Sequence, residues 1–502
     1  MTSDRGAEII CRRQCSYFKP NRTEEERCRG YSLAALLIQE RPPTEDLEAV
    51  EAFDPLFGKD FLRGHVCRDC PFYEDGCDFV SDDPSEGCLP CGGLVVLSRL
   101  LKQGTLDESD IRRLDFLQLG EDSYLALTPR SAVRRLEEDY VYHITNDELY
   151  EINDDAAEFL DLCDGTRRVG ELAADPEFIE FCVKEDLLEA RPVPGKTLSY
   201  EGRSPVPSLR YLEWLVTFRC NLKCAHCYLG EAEDSDFPRD LIRSLLDQFS
   251  RMQGLRVMVS GGEPTLYKHF DLLNDVMREY AVRAVLLSNG LTLTEEFAAS
   301  LNFHEVQISL DGMEHGHDAI RGRGAFQAAV RGLQAAGKAG LDLSVATMIH
   351  RENLGEWDRM RDLVHELGVK EWSIDYPCSK GRWDQHPGLA VNSEQAAELM
   401  RYGFGSSYHG TSPGWTCGRH LAAVLPSGEL CKCGLFPEKC YGSVTNGLAE
   451  AWTRVRHMPI EETLCAGCAH AESCGGGCRF RAGGDVEKDE VMCRFYGGDQ
   501  EV

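Results

Sequence analysis

From Tyr211 onward, short apolar runs alternate with longer amphipathic stretches in a regular order. YLEWLVT, LRVMVS, RAVLLS, EVQISL, LDLSVATMI and EWSIDY are brief and rich in branched or aromatic residues, the signature of buried strands. Between them, segments such as LIRSLLDQFSRM, AFQAAVRGLQAAGKA and EWDRMRDLVHELG place apolar residues three and four apart, which predicts helices packed by one face. Six strand-helix units in succession imply an α/β fold: a parallel sheet with helices outside, curled into a full or partial (β/α)6 barrel whose chemistry lies at the carboxyl ends of its strands. Upstream the pattern changes. Residues 124–128, 141–144 and 148–152 read as three short strands, Asp154 opens a helix, and VGELA and FIEFCVKEDLL add two more, a small winged α+β module over residues 121–191. RPVPGKTLSYEGRSPVPS, broken by prolines and glycines, reads as a linker at 192–210. The barrel is then expected over 211–395, with flanking regions at 1–120 and 396–502.

Composition narrows the function. The 502 residues carry 54 Lys and Arg against 84 Asp and Glu, a net charge of −30, which disfavours nucleic acid and anionic membranes as partners. No apolar run approaches the roughly 20 residues of a membrane span. The 23 cysteines are the anomaly. Because MTSDRGAEII is polar and acidic and has no signal-like apolar core, a reducing cytoplasm is the expected compartment, and cysteines there imply metal ligation rather than disulfides. They fall into groups: eight before residue 92, three at Cys220, Cys224 and Cys227, nine from Cys417 to Cys493, and the isolated Cys163, Cys182 and Cys378.

The central three form C-x3-C-x2-C in the loop after the first barrel strand. Three thiolates can hold a 4Fe-4S cube with one iron open, and a zinc site completed by His226 is the competing reading. With His226 before the last cysteine, the triad resembles the signature of radical S-adenosylmethionine (SAM) enzymes. Further motifs of that family follow at successive strand ends: Ser260-Gly261-Gly262-Glu263-Pro264, then Ser288-Asn289-Gly290, then Ser309-Leu310-Asp311-Gly312 with His317-Asp318-Ala319-Ile320-Arg321-Gly322. The resemblance covers about residues 211–385. It implies that Gly261 and Gly262 let the backbone approach the methionyl group, that Glu263 accepts from its ammonium, that Ser288 and Asn289 lie near the ribose, and that Ser309 and Arg321 meet the carboxylate or ribose. It also implies reductive cleavage of SAM to a 5′-deoxyadenosyl radical that abstracts hydrogen from a substrate.

Behind the barrel, Cys417-x10-Gly428-x4-Cys433, Cys465-x2-Cys468-x5-Cys474-x3-Cys478 and Cys493 resemble the SPASM extension of a subset of these enzymes. That resemblance implies two auxiliary 4Fe-4S clusters, a distal one on Cys465, Cys468, Cys474 and Cys493 and a proximal one on Cys417, Cys433 and Cys478. Its fourth ligand is open, with Cys431 and Cys440 as candidates; four-thiolate zinc modules are the alternative for the whole array. Sulfatase-maturing members carry an acidic residue beside a proximal cysteine, and here Gly434 follows Cys433. Cys378, in YPCSKGR after the sixth strand, reads as a packed loop thiol, with hydrogen donor or cluster ligand as alternatives.

Residues 121–191 resemble the PqqD-like element that captures leader peptides of ribosomally made precursors. This implies a precursor-peptide partner that adds a strand to a sheet edge. A DNA-binding winged helix is disfavoured by the local density of Asp and Glu. Cys163 and Cys182 are expected as core thiols. In the first 92 residues, Cys67-x2-Cys70-x17-Cys88-x2-Cys91 has zinc-ribbon-like spacing, and Cys11, Cys15, Cys28 and Cys77 could form a second site holding zinc or a further iron–sulfur cluster. The combined expectation is a radical SAM/SPASM peptide maturase supplied with electrons by a donor such as flavodoxin or ferredoxin. The alternatives are action on a haem-type cofactor precursor or a folded protein, and a cysteine-rich sensor without turnover.

Overall fold

The computed structural model describes residues 33–34, 59–62, 66–67, 91–112 and 123–497, except 173–174, 198–199, 201, 232–233 and 406–411. The chain divides into two compact units, residues 1–133 with 152–199, and residues 134–151 with 200–502.

Four strands open the continuous region: β1 (Tyr124–Leu127), β2 (Ser131–Arg135), β3 (Asp139–His143) and β4 (Glu148–Ile152). The helix Asp154–Leu162 follows, capped by Asn153, whose side chain accepts from the Ala156 N–H at 2.9 Å. Then come β5 (Asp164–Arg168), the helix Pro176–Lys184 and β6 (Leu188–Arg191). β1 lies between β5 and β6 in an antiparallel sheet, while β2, β3 and β4 form a second sheet in that order. Cys163 and Cys182 are buried thiols of the first unit. The expected three-strand module is therefore richer than its sequence pattern. β2 escapes an alternating reading because its Arg134 points inward; its fully buried guanidinium donates to the Ala281 carbonyl. The boundary between the units also cuts through this module, assigning residues 134–151 to the barrel.

The second unit is built on a nine-stranded sheet. Six parallel strands, β7 (Tyr211–Thr217), β8 (Arg256–Gly261), β9 (Arg283–Ser288), β10 (Glu305–Ser309), β11 (Asp342–Met348) and β12 (Glu371–Asp375), stand side by side in chain order at the expected positions. Helices between them bury a stripe against the sheet. In Ile242–Arg251 the stripe is Ile242, Leu245, Leu246 and Phe249, spaced as a helical face requires. Alternate residues of β7 (Leu212, Trp214, Val216) join this outer core, and Trp214 packs edge-on against Phe237 at 4.9 Å.

Two boundaries differ from expectation. The C-terminal region continues the barrel sheet: β13 (Leu421–Val424) pairs parallel to β7, and β14 (Glu429–Cys431) and β15 (Cys440–Ser443) add antiparallel beyond it. The end of the proline-rich linker is packed rather than free, because Ser208 and Leu209 are fully buried, Ser208 bonds Glu137, and the Trp452 indole donates to the Pro207 carbonyl at 2.6 Å. No helix among the described residues is long and apolar enough to cross a membrane.

Buried Arg283, at the start of β9, ties the 134–151 hairpin to the barrel. It pairs with Glu305 at 2.9 Å and Asp342 at 2.8 Å, and donates to the Ile144 and Thr145 carbonyls. Arg283→Met strands the buried Glu305 carboxylate, so urea denaturation should show a loss of about 3–5 kcal/mol. Hydrogen exchange should rise across residues 134–151. An unchanged midpoint and unchanged exchange there would contradict this anchoring role.

Candidate active site and cysteine clusters

The carboxyl ends of the parallel strands converge on the loop that carries Cys220, Cys224 and Cys227. Three other segments grip its backbone. After β8, the Gly262 N–H donates to the Thr217 carbonyl at 2.8 Å and the Glu263 N–H to the Arg219 carbonyl at 2.8 Å. A Cβ at Gly261 (φ +135°) would fall 2.1 Å from the Thr217 oxygen, and one at Gly262 would fall 2.3 Å from the Arg219 oxygen. Both glycines are thus required by the approach to the cysteine loop's own backbone. After β12, Gly381 repeats the device, since its Cβ would sit 2.4 Å from the Cys227 oxygen, while Arg382 donates from its N–H to the Cys227 carbonyl and from Nε to the Cys224 carbonyl, both at 3.1 Å. The third grip comes from the helix Glu314–Arg321, whose Ile320 carbonyl accepts from the Ala225 N–H at 2.7 Å.

Glu263 and Arg321 both brace the loop framework. Glu263 is fully buried; its two oxygens accept from the Ser288 hydroxyl at 2.9 Å, the Asn289 N–H at 2.8 Å and the Thr265 hydroxyl at 2.7 Å. It locks the β8 loop to the Ser288-Asn289-Gly290 loop after β9, and burial pushes its carboxyl above the ordinary range. Arg321 uses all three nitrogens: Nε on Asp311, Nη1 toward the Cys224 sulfur at 3.9 Å, and Nη2 on His226 Nε2 at 3.2 Å. Because guanidinium only donates, His226 Nε2 accepts and the ring proton sits on Nδ1. That Nδ1 is buried with no hydrogen-bond partner, and burial lowers the imidazole to about 3, so the ring is neutral. Ser309, half-buried, ends β10 with its backbone beside Ala346 of β11.

Asp311, only a motif letter in the sequence, is the hub. It is fully buried, accepts from Arg321 and from the Met348 N–H at 2.8 Å, donates its own N–H to His317 Nδ1 at 3.0 Å, and its carbonyl accepts from His350 at 3.0 Å and Asn353 at 2.7 Å. Burial alone would raise its carboxyl, but the Arg321 charge holds it well below the usual range. Its partners are scattered over β11 and two helical segments, so spacing gives no sign of them. An acidic residue directly after an apolar strand and before a glycine was the one available signal.

The C-terminal cysteines gather in three places. Cys465, Cys468, Cys474 and Cys493 line one pocket together with His470 and Tyr496. Cys431 and Cys440, on paired strands, face each other with sulfurs 2.9 Å apart, and Cys431 is fully buried. This turns the two candidates for a fourth proximal ligand toward one another. Cys417, Cys433 and Cys478 lie within electrostatic reach of each other, and Cys478 is held below the ordinary thiol range by a hydrogen bond from Cys378. Gly434 leaves room for Glu213 of β7, whose carboxylate accepts its N–H at 2.9 Å, so an acid does stand beside Cys433, supplied by another strand. In the N-terminal region, Cys67 is buried in a small apolar core and Cys91 packs against it, its sulfur accepting from the Leu94 N–H at 3.4 Å. Cys70, Cys88, Cys11, Cys15, Cys28 and Cys77 lie outside the described residues. Among the described residues no three His, Cys, Asp or Glu side chains converge as ligands of a single ion do. Thiolates of a cube each bond a different iron and need no such convergence.

Residues 214–364 match the Radical SAM superfamily. The chain is 30% identical over 342 residues to a mycofactocin maturase, MftC, of Mycobacterium tuberculosis, an overlap covering 60% of this chain and 86% of that protein. The chain belongs to the radical SAM enzymes. A shorter overlap, 33% identical over 221 residues, links this radical SAM enzyme to an Fe-coproporphyrin III synthase of Methanosarcina barkeri, covering 42% of the chain and 54% of that protein. In fold it is similar to SuiB of Streptococcus suis, solved with the precursor peptide SuiA, at a TM-score of 0.54 and 14% identity, spanning 74% of this chain and 99% of that one. As a member of this family it uses a 4Fe-4S cluster and SAM. Its residues fit that pair: three cysteines on one clamped loop, a guanidinium beside one sulfur, and an orphaned buried N–H on His226.

Gly262→Ala forces the Cys220 loop outward without touching a ligand. Release of 5′-deoxyadenosine under dithionite should fall by roughly 100-fold. Gly388→Ala, where the added methyl meets nothing within 4 Å, should leave release unchanged. Equal activity in the two variants would refute the clamp.

Proposed function

We propose that this radical SAM enzyme is a peptide maturase that modifies a ribosomally made precursor at a C–H bond, by crosslinking or another functionalisation. The observation that best supports this is the similarity to a mycofactocin maturase across 86% of that protein. Bound at Cys220, Cys224 and Cys227, a reduced 4Fe-4S cluster with SAM supplies a 5′-deoxyadenosyl radical for hydrogen abstraction. The chain's own part is positioning. Burial pushes the Cys224 thiol up and the Arg321 charge beside it works against that rise, His226 offers its Nδ1 proton, and the Gly261, Gly262 and Gly381 contacts fix the loop. Half-buried Glu213, Gln307 and Ser309, on the strand faces opposite the outer core, make a polar wall for the substrate.

In this reading Cys465, Cys468, Cys474 and Cys493 hold a distal auxiliary cluster around their shared cavity, and Cys417, Cys433 and Cys478 hold a proximal one. Among the described residues β4 stands at the end of its sheet beside β3, and an end strand suits addition of a leader peptide, the PqqD-like role proposed for residues 121–191. An electron donor such as flavodoxin or ferredoxin, in a reducing cytoplasm, would supply the electron that the cluster needs. Cys67, Cys70, Cys88 and Cys91 would hold zinc or a further cluster. The shorter similarity to an Fe-coproporphyrin III synthase favours a second reading, action on a haem-type precursor.

Anaerobic incubation of reconstituted enzyme with SAM, dithionite and either the small peptide encoded beside its gene or iron coproporphyrin separates the two. Wild type should release 5′-deoxyadenosine and change the mass of the peptide only. Cys224→Ala should do neither while retaining its auxiliary iron. Conversion of the porphyrin with an unchanged peptide would overturn the peptide reading, and SAM cleavage by Cys224→Ala would overturn the cluster assignment.

A further inference from the structure

We propose that Cys378, on the loop after β12, is the fourth thiolate of the proximal auxiliary cluster, joining Cys417, Cys433 and Cys478. The inference rests on the reading that those three cysteines hold a cluster. It adds a ligand contributed by the barrel itself, well upstream of Cys417, the first cysteine of the C-terminal array.

The loop that carries Cys378 and the turn that carries Cys478 are tied together from two sides. Buried Arg481, three residues after Cys478, pairs with Asp375 at the end of β12 and with Asp489 at 2.7 Å. Asp489 also accepts the Cys478 N–H at 2.8 Å, so one ionic triad fixes the strand end before Cys378 and the backbone of Cys478 together. On the other side Lys380 donates to the Leu435 carbonyl at 2.8 Å and lies 5.0 Å over the Phe480 ring, tying the same loop to the segment after Cys433. A buried arginine between two carboxylates is costly to assemble for a thiol that merely fills space. The alternatives for the position are already engaged, with Cys431 and Cys440 turned to each other at 2.9 Å. On ligation each thiol releases its proton to solvent as its sulfur bonds iron, with no change in oxidation state.

The test uses full-length enzyme carrying Cys220→Ala, Cys224→Ala and Cys227→Ala, so that only auxiliary clusters remain. Iron analysis and electron paramagnetic resonance are recorded after anaerobic reconstitution and again after mild oxidation. Cys417→Ala with Cys433→Ala should lose about four irons per chain, one cube. Cys378→Ser and Cys378→Ala should each retain the reduced cube with altered resonances, then lose one iron on oxidation and give a three-iron signal absent from the Cys163→Ala control. If both Cys378 variants match the parent in iron and spectrum while the double variant loses its cube, Cys378 is not a ligand and the proximal cluster stands without it. If the double variant keeps all its iron, the proximal cluster reading falls, and this proposal with it.

Discussion

The site depends on backbone meeting backbone. The loop carrying Cys220, Cys224 and Cys227 has no regular secondary structure of its own, yet three ligands must be held in one arrangement. Its peptide groups are gripped by those of the loops after β8 and β12, at separations only glycine permits: Gly261 and Gly262 on one side, Gly381 on the other. Such contacts add no new chemistry to the site. They convert the rigidity of a parallel sheet into precision at the cysteines, and they explain why loops on different strands must be read together.

Beneath the clamp lies a layer of buried polar side chains. Asp311, Arg321, His226, His317 and His350 form a connected set in which one carboxylate and one guanidinium balance each other, and burial keeps all three imidazoles below their usual values. A neutral His226 next to Cys227 keeps a second positive charge out of the cluster site. Glu263 does for the β8 and β9 loops what Asp311 does for the β10 and β11 loops, so the glycine-rich motif and its glutamate act as framework before they act as a binding surface.

Much of this was legible in sequence, and what was not has physical reasons. The six barrel strands stand where their apolar runs put them, because a strand buried on both faces needs little long-range information to be recognised. The motif loops likewise fall at the strand ends. Side-chain direction was harder to read: Glu263 and Arg321 look like free charges in a motif, but each is engaged by partners from other loops. Arg134 hid β2 because an acceptor far away in the chain, the Ala281 carbonyl, helps make an inward arginine tolerable. The linker ending at Ser208 looked loose since its partners, Glu137 and Trp452, are far away in the chain. Cys378 looked isolated for the same reason, until the pairing of β13 with β7 carried the C-terminal cysteines alongside the barrel. The net charge of −30 remains compatible with a neutral or basic peptide and selects none.

The central claim is that the clamped cysteine loop directs hydrogen abstraction from a peptide. Its most direct measurement is isotope transfer: the precursor encoded beside the gene is made with deuterated side chains, turned over anaerobically, and the 5′-deoxyadenosine is analysed by mass spectrometry. The account predicts that one deuterium per modified peptide appears in the 5′-deoxyadenosine. Modified peptide accompanied by unlabelled 5′-deoxyadenosine, with every side chain deuterated, would contradict it.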